Sequence, residues 1–302
     1  MARDFLALTK PGIVRLVTIT SGVGFALALV HRGWGSVPLG EVLLMAAACI
    51  VGTALSAAGA NTLNQCMEVR RDALMTRTRL RPIPAHRLTV AQAAAFGAAL
   101  SALGIGVLWV GANPVAAVVS IVTTFTYLFI YTPMKSVTPL ATWVGAVPGA
   151  LPPLIGWAAA SDGAWRGLDH PGGWTIFLIM FAWQIPHFLA LAWKYRDDYA
   201  RGGYRVLSLN DHSGLATAWQ SVIWTLIMIA LSLTPVWAMR NHVGWAYAVS
   251  AVLLGCGMLH LSVTLLATRS DRNARNLFLG SVVYLPIVLF VLVADAARSV
   301  VG

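Results

Sequence analysis

Charge is what this chain has least of: only 11% of its residues are Asp, Glu, Lys or Arg, against roughly 25% in a soluble globular domain. That deficit excludes a fold with a water-facing surface all round, and with it a soluble basic domain for nucleic acid. Negative charge is the rarest, eleven Asp and Glu against 21 Lys and Arg, so any acidic cluster stands out. Cys49, Cys66 and Cys256 are odd in number and show no CxxC spacing, which argues against a disulfide framework and a zinc site. No linker rich in Ser, Gly or Pro and no low-complexity tract interrupts the chain, so residues 1–302 read as a single transmembrane domain.

What is present is apolar: 58% of residues are hydrophobic and the mean hydropathy is +0.73. Runs of about 20 apolar residues, the length that crosses a bilayer, predict nine transmembrane helices at 13–30, 42–63, 90–111, 114–131, 138–160, 174–194, 216–238, 243–267 and 277–295. The fold class is therefore all-α, a polytopic membrane bundle. Arg3, Asp4 and Lys10 precede the first run and no A-x-A-like cleavage site follows it, so it reads as a retained helix.

Basic residues crowd alternate loops. Arg70, Arg71, Arg77, Arg79, Arg81 and Arg87 follow helix 2, Lys135 follows helix 4, Lys194, Arg196, Arg201 and Arg205 follow helix 6, and Arg269, Arg272 and Arg275 follow helix 8. The other loops and the C-terminus hold Arg32, Arg166, Arg240 and Arg298. The positive-inside rule places the N-terminus in the cytoplasm and the C-terminus outside, in a cell membrane such as the bacterial inner membrane. The net charge of +10 has two readings: topology with membrane lipid headgroups, or an anionic ligand.

Two segments favour the ligand. After helix 2, Asn64, Glu68 and Asp72 repeat every four residues, which on a helix stacks their oxygens on one face. Few oxygen ligands, part carboxylate, suit Mg²⁺ completed by water and substrate phosphate. Arg77 and Arg81 repeat the four-residue spacing between themselves just beyond and could clamp those phosphates. The alternative is a solvated helix end in which the acids only pair with loop arginines. A second acidic and basic stretch, WKYRDDYARGGYR at 193–205, follows helix 6. Four helices separate the two, so both emerge on one side, as one bipartite site would need. His187 sits beside Pro186 at membrane depth, where an ionisable group usually faces the bundle interior; an interior hydrogen bond and metal ligation are both open to it. His260 reads as structural.

LTKP at 8–11, NQCMEVRRDALMTRTRLRP at 64–82, YTPMK at 131–135, GALPPLIGW at 149–157 and FAWQIPHFLALAWKYRDDY at 181–199 together resemble the UbiA superfamily of intramembrane prenyltransferases, and within it the heme-farnesylating branch. That resemblance implies nine helices around a central cavity, Mg²⁺ as cofactor, and farnesyl diphosphate and heme B as substrates. It also implies a product passed to a heme-modifying or oxidase-assembly partner. Carried over by position, Asn64, Glu68, Asp72 and Asp198 would hold metal and be catalytic. Arg77, Arg81, Tyr131 and Lys135 would bind diphosphate, and His187 would contact heme. Two departures follow: Glu68 stands where Asp is common, and Gly202 stands where a second acid would follow Asp198. Trp143, Trp157, Trp183, Phe181 and Phe188 are candidates to line the pocket, and Pro148, Pro152 and Pro153 to bend helix 5. A quinone-precursor prenyltransferase and, on the weak internal echo, a transporter with an anion site are the competing readings.

Overall fold

Helix starts fall where the sequence supplies caps. Thr89 and Gln92 form a reciprocal capping box, the Asn113 side chain accepts from Ala116 N–H ahead of Pro114, and His170 Nδ1 accepts from Gly172 N–H ahead of Pro171. The computed structural model describes residues 1–33, 35–161 and 165–301, and among them all regular structure is helical. In order these are α1 (Ala2–Leu8), α2 (Pro11–Arg32), α3 (Leu39–Asp72), α4 (Val90–Gly111), α5 (Pro114–Phe125), a π-helical turn (Thr126–Tyr131), α6 (Thr132–Met134), α7 (Ala141–Ala150) and α8 (Pro152–Ala160). After a 3₁₀ turn (Trp165–Leu168) follow α9 (Pro171–Lys194), α10 (Arg196–Arg201), α11 (Leu207–Asn210), α12 (Leu215–Ser232), α13 (Thr234–Ala238), α14 (Trp245–Thr268) and α15 (Asp271–Val301).

Among the described residues nine spans are long and apolar enough to cross a membrane, as the sequence predicts. Residues such as Val110, Trp245 and Phe290 are exposed on their outer faces. Apolar surface both inside and out marks an integral membrane protein. Several spans differ from the expected ranges; the seventh is broken at Leu233 ahead of Pro235 and the ninth extends to Asp271–Val301, and three differences bear on the site. Helix α3 has 34 residues, about 50 Å, so its last turns run on beyond the apolar stretch that ends near residue 63. The fourth span closes in the π-turn. The fifth is broken at Leu151, because Pro152 and Pro153 lack the N–H groups a continuous helix would use.

Close backbone approach fixes the frame around the site. A Cβ on Gly59 of α3 would come within 2.5 Å of the Gly97 carbonyl on α4, and one on Gly104 within 2.4 Å of Ser56 N. In a bilayer such small-residue seams carry helix association, since lipid supplies no hydrophobic drive. Polar groups in the interior find partners: Trp183 Nε1 donates to the Ser281 carbonyl, and Tyr247 OH to that of Ser232. Helices α8 and α9 lie at the centre, with Ile155, Ile176, Ile179 and Met180 buried.

Candidate functional site

The C-terminal end of α3 carries Asn64, Glu68 and Asp72 on one face, all three buried. Each meets a cation from a different part of the chain. Lys10 Nζ donates to Asn64 Oδ1 at 2.9 Å, Lys135 Nζ to Glu68 Oε1 at 2.9 Å, and Arg81 Nη1 to Asp72 Oδ2 at 2.6 Å. The result is a ladder of three oxygen and nitrogen rungs, spaced by one turn of α3. Asn64 also donates to Thr132 Oγ1, which donates to the Tyr127 carbonyl across the π-turn. Lys135 lies 4.5 Å from the Tyr131 ring centroid, a cation–π contact.

The sequence placed the acids correctly on one face but missed Lys10. Its signal is the LTKP stretch, in which Pro11 starts α2 and Lys10 takes a left-handed backbone, φ 51°, that aims its side chain inward. Burial and the nearby Arg81 push the Lys10 ammonium down to about 7. For Lys135 burial acts in the same direction, but Tyr131 and Glu68 outweigh it and hold the group above its ordinary range. Tyr204, also missed, is pushed well up by burial and the facing Glu68 carboxylate.

Asp198 does not join them. It is buried, yet it does not line the cavity, because α10 starts a new direction after Tyr195 and turns the carboxylate toward the 73–88 loop. There it accepts from Thr76 N–H at 2.9 Å, from Arg77 N–H at 3.4 Å and from Arg201. Burial opposes ionisation, but these donors hold its carboxyl below the usual range. Asp197 is exposed. The two acidic stretches are thus joined through the backbone of the loop that carries Arg77 and Arg81.

From the ladder a cavity of about 500 Å³ runs into the bundle, lined by residues of α2, α3, α5, α7, α9 and α15. Asn64, Glu68, Asp72, Arg77, Arg81, Tyr131, Lys135 and His187 all line it. One deeper wall is rich in hydroxyls, with Ser56 Oγ 2.8 Å from Ser120 Oγ; the other carries Met180, Trp183, Phe188 and Phe278. Trp143, Trp157 and Phe181 do not line it: Trp157 donates to the Gly167 carbonyl, and Phe181 packs on Trp224. His260 is exposed on the outer face of α14. His187 Nδ1 lies 2.8 Å from Ser281 Oγ, whose own hydrogen goes to the Phe278 carbonyl at 2.6 Å. Ser281 therefore accepts from Nδ1–H, which leaves the Nε2 lone pair of His187 free. Gln184, one turn earlier on α9, also lines the cavity and was not singled out in the sequence.

The sequence pattern described as the UbiA prenyltransferase family matches residues 16–289. The protoheme IX farnesyltransferase of Solibacter usitatus is 40% identical over 294 residues, covering 97% of this chain and 98% of the relative. Among solved structures, a UbiA homologue from Aeropyrum pernix K1 superposes with a TM-score of 0.70 at 17% identity, over 94% of this chain and 98% of that one. A UbiA homologue from Archaeoglobus fulgidus bound to GPP and Mg²⁺ gives 0.63 at 14% identity, over 99% and 100%. At such identities the structures speak for the fold.

Proposed function

The chain belongs to the UbiA prenyltransferase family, and from that premise we propose that it transfers the farnesyl group of farnesyl diphosphate to a vinyl group of heme B, with addition of water, giving heme O and diphosphate. The observation that carries this reading is the ladder of half-buried cations on buried oxygens at the mouth of a long, mostly apolar cavity. A ligand with an anionic head and an apolar body fits that division; the near full-length likeness to a protoheme IX farnesyltransferase supports the acceptor.

Lys10, Arg77, Arg81 and Lys135 would grip the diphosphate, and Tyr131 would hold the Lys135 ammonium in place. The site also fits Mg²⁺. Among the described residues no three His, Cys, Asp or Glu gather as a metal site, but Glu68, Asp72 and Asn64 supply the one or two carboxylates and the neutral oxygen that a Mg²⁺–diphosphate pair requires. The ion would neutralise charge that grows on the departing diphosphate. Asp198 would act at one remove, by fixing the loop that bears Arg77 and Arg81. The apolar walls keep bulk water from the allylic cation left at C1. Attack on C1 by the vinyl terminal carbon forms the new C–C bond, and no side-chain nucleophile is needed. His187, with Nε2 free beside Trp183 and Phe278, would contact the heme through iron or a propionate. One catalytic domain spans the chain, with the ladder on the cytoplasmic side.

Mass spectrometry of heme extracted from cells expressing the protein tests the reading. Heme heavier by farnesyl plus water is expected. Unmodified heme together with a prenylated quinone precursor, or transport without diphosphate release, would replace it.

A further inference from the structure

Resting on that reading, we propose that Gln184 binds the water molecule consumed in the reaction and aims it at the cation on the porphyrin side chain. Gln184 is 95% buried, being 5% exposed, and its amide is used at one end only. Nε2 donates to the Ala146 carbonyl at 3.3 Å and to that of Met180 at 3.1 Å. Two carbonyl acceptors fix the orientation of the amide, since turning it over would set oxygen against oxygen. Oε1 is therefore the end that lies over Gly149, where a Cβ would come within 2.0 Å of it. Gly149 and Gln184 both line the cavity, and among the described residues Oε1 has no hydrogen-bond partner. A buried carbonyl acceptor on the cavity wall with no protein partner is a place for one water.

Its depth suits the chemistry. Tyr131, which touches the Lys135 ammonium, packs on Gly145 of α7 at 2.4 Å from where a Cβ would stand. Gln184 packs on Gly149 of the same helix, one turn or about 6 Å further in. The diphosphate end and the Oε1 end are thus neighbours on the α7 wall. In the step, the C1–O bond of farnesyl diphosphate breaks and the vinyl terminal carbon bonds to C1, which leaves the cation on the inner vinyl carbon. The water held by Oε1 gives its oxygen lone pair to that carbon, and its proton passes to the released diphosphate. Without a placed water the same cation loses a proton from the adjacent CH₂ to diphosphate and yields an alkene, lighter by one water.

The product ratio separates this role from a structural one. In Gln184→Met, and in Gly149→Ala, which keeps the amide but displaces Oε1, the share of farnesylated heme lacking the added water should rise about tenfold, the loss of one good hydrogen bond to a charged centre. Diphosphate release should persist, because ionisation precedes hydration. Gln184→Glu, which keeps an acceptor oxygen, should give hydrated product, labelled in oxygen-18 water. Wild-type proportions of hydrated product in Gln184→Met would overturn the proposal, as would loss of diphosphate release together with product. If Gly149→Ala does not reach the membrane, the Met and Glu variants decide by the same criterion. Absence of any farnesylated heme with the wild-type chain would instead refute the reaction itself.

Discussion

At the scale of single residues, the ladder makes stability and catalysis separable. Glu68→Gln and Asp72→Asn should each lower the rate of diphosphate release by about two to three powers of ten at saturating substrate, with the protein still folded. Lys135→Met leaves the Glu68 carboxylate buried without its cation, which costs about 3–5 kcal/mol. Its melting temperature in detergent should fall, and the double variant Glu68→Gln/Lys135→Met should recover the melting temperature without recovering activity. A melting temperature unchanged in Lys135→Met would mean that the pair is solvated. His187→Ala should shift or weaken heme binding, read at the Soret band, while farnesyl diphosphate affinity holds; an unchanged heme spectrum and affinity would assign His187 to packing. Asn64, Glu68 and Asp72 were legible because acids are scarce here and four-residue spacing has one meaning on a helix. Lys10 and Gln184 were not, since Lys10 meets its partner 54 residues away and the free oxygen of Gln184 depends on a glycine of another helix.

Among elements, the nine spans could be read from hydropathy because the bilayer demands apolar length whatever else a helix does. Where hydropathy ends a run, however, the helix need not end. Gln65, Met67, Glu68, Arg70 and Arg71 are good helix formers, so α3 carries on to Asp72 and delivers the polar face. The break at Leu151 was legible in the proline pair, whereas the π-turn that brings Tyr127 and Tyr131 within 5.8 Å has no compositional signal. Contact between α10 and the 73–88 loop was legible only as proximity, and the Asp198 carboxylate faces the loop backbone and not the cavity, the basis on which we propose that it anchors the loop. Asp198→Asn should therefore raise KM for farnesyl diphosphate about tenfold, one charged hydrogen bond's worth, with the Mg²⁺ concentration dependence unchanged. A shifted Mg²⁺ dependence would return Asp198 to the metal.

For the whole molecule the testable quantity is orientation. With the three native cysteines replaced by Ala, a membrane-impermeant maleimide applied to intact cells should label Arg240→Cys and leave Asp197→Cys unlabelled, both positions being exposed. The reverse pattern would invert the topology read from loop charges.

The ladder has one more effect, on how substrate arrives and product leaves. Lys10, Lys135 and Arg81 hold oxygen partners on α3. In the proposed reaction an incoming diphosphate would not fall into bare positive charge; it would exchange counter-ions, each cation trading an internal oxygen for a phosphate oxygen. Net affinity is then a small difference between two well-paired states. A site so built can select strongly for an anionic head and still let go of the free diphosphate once the tail has been cut away.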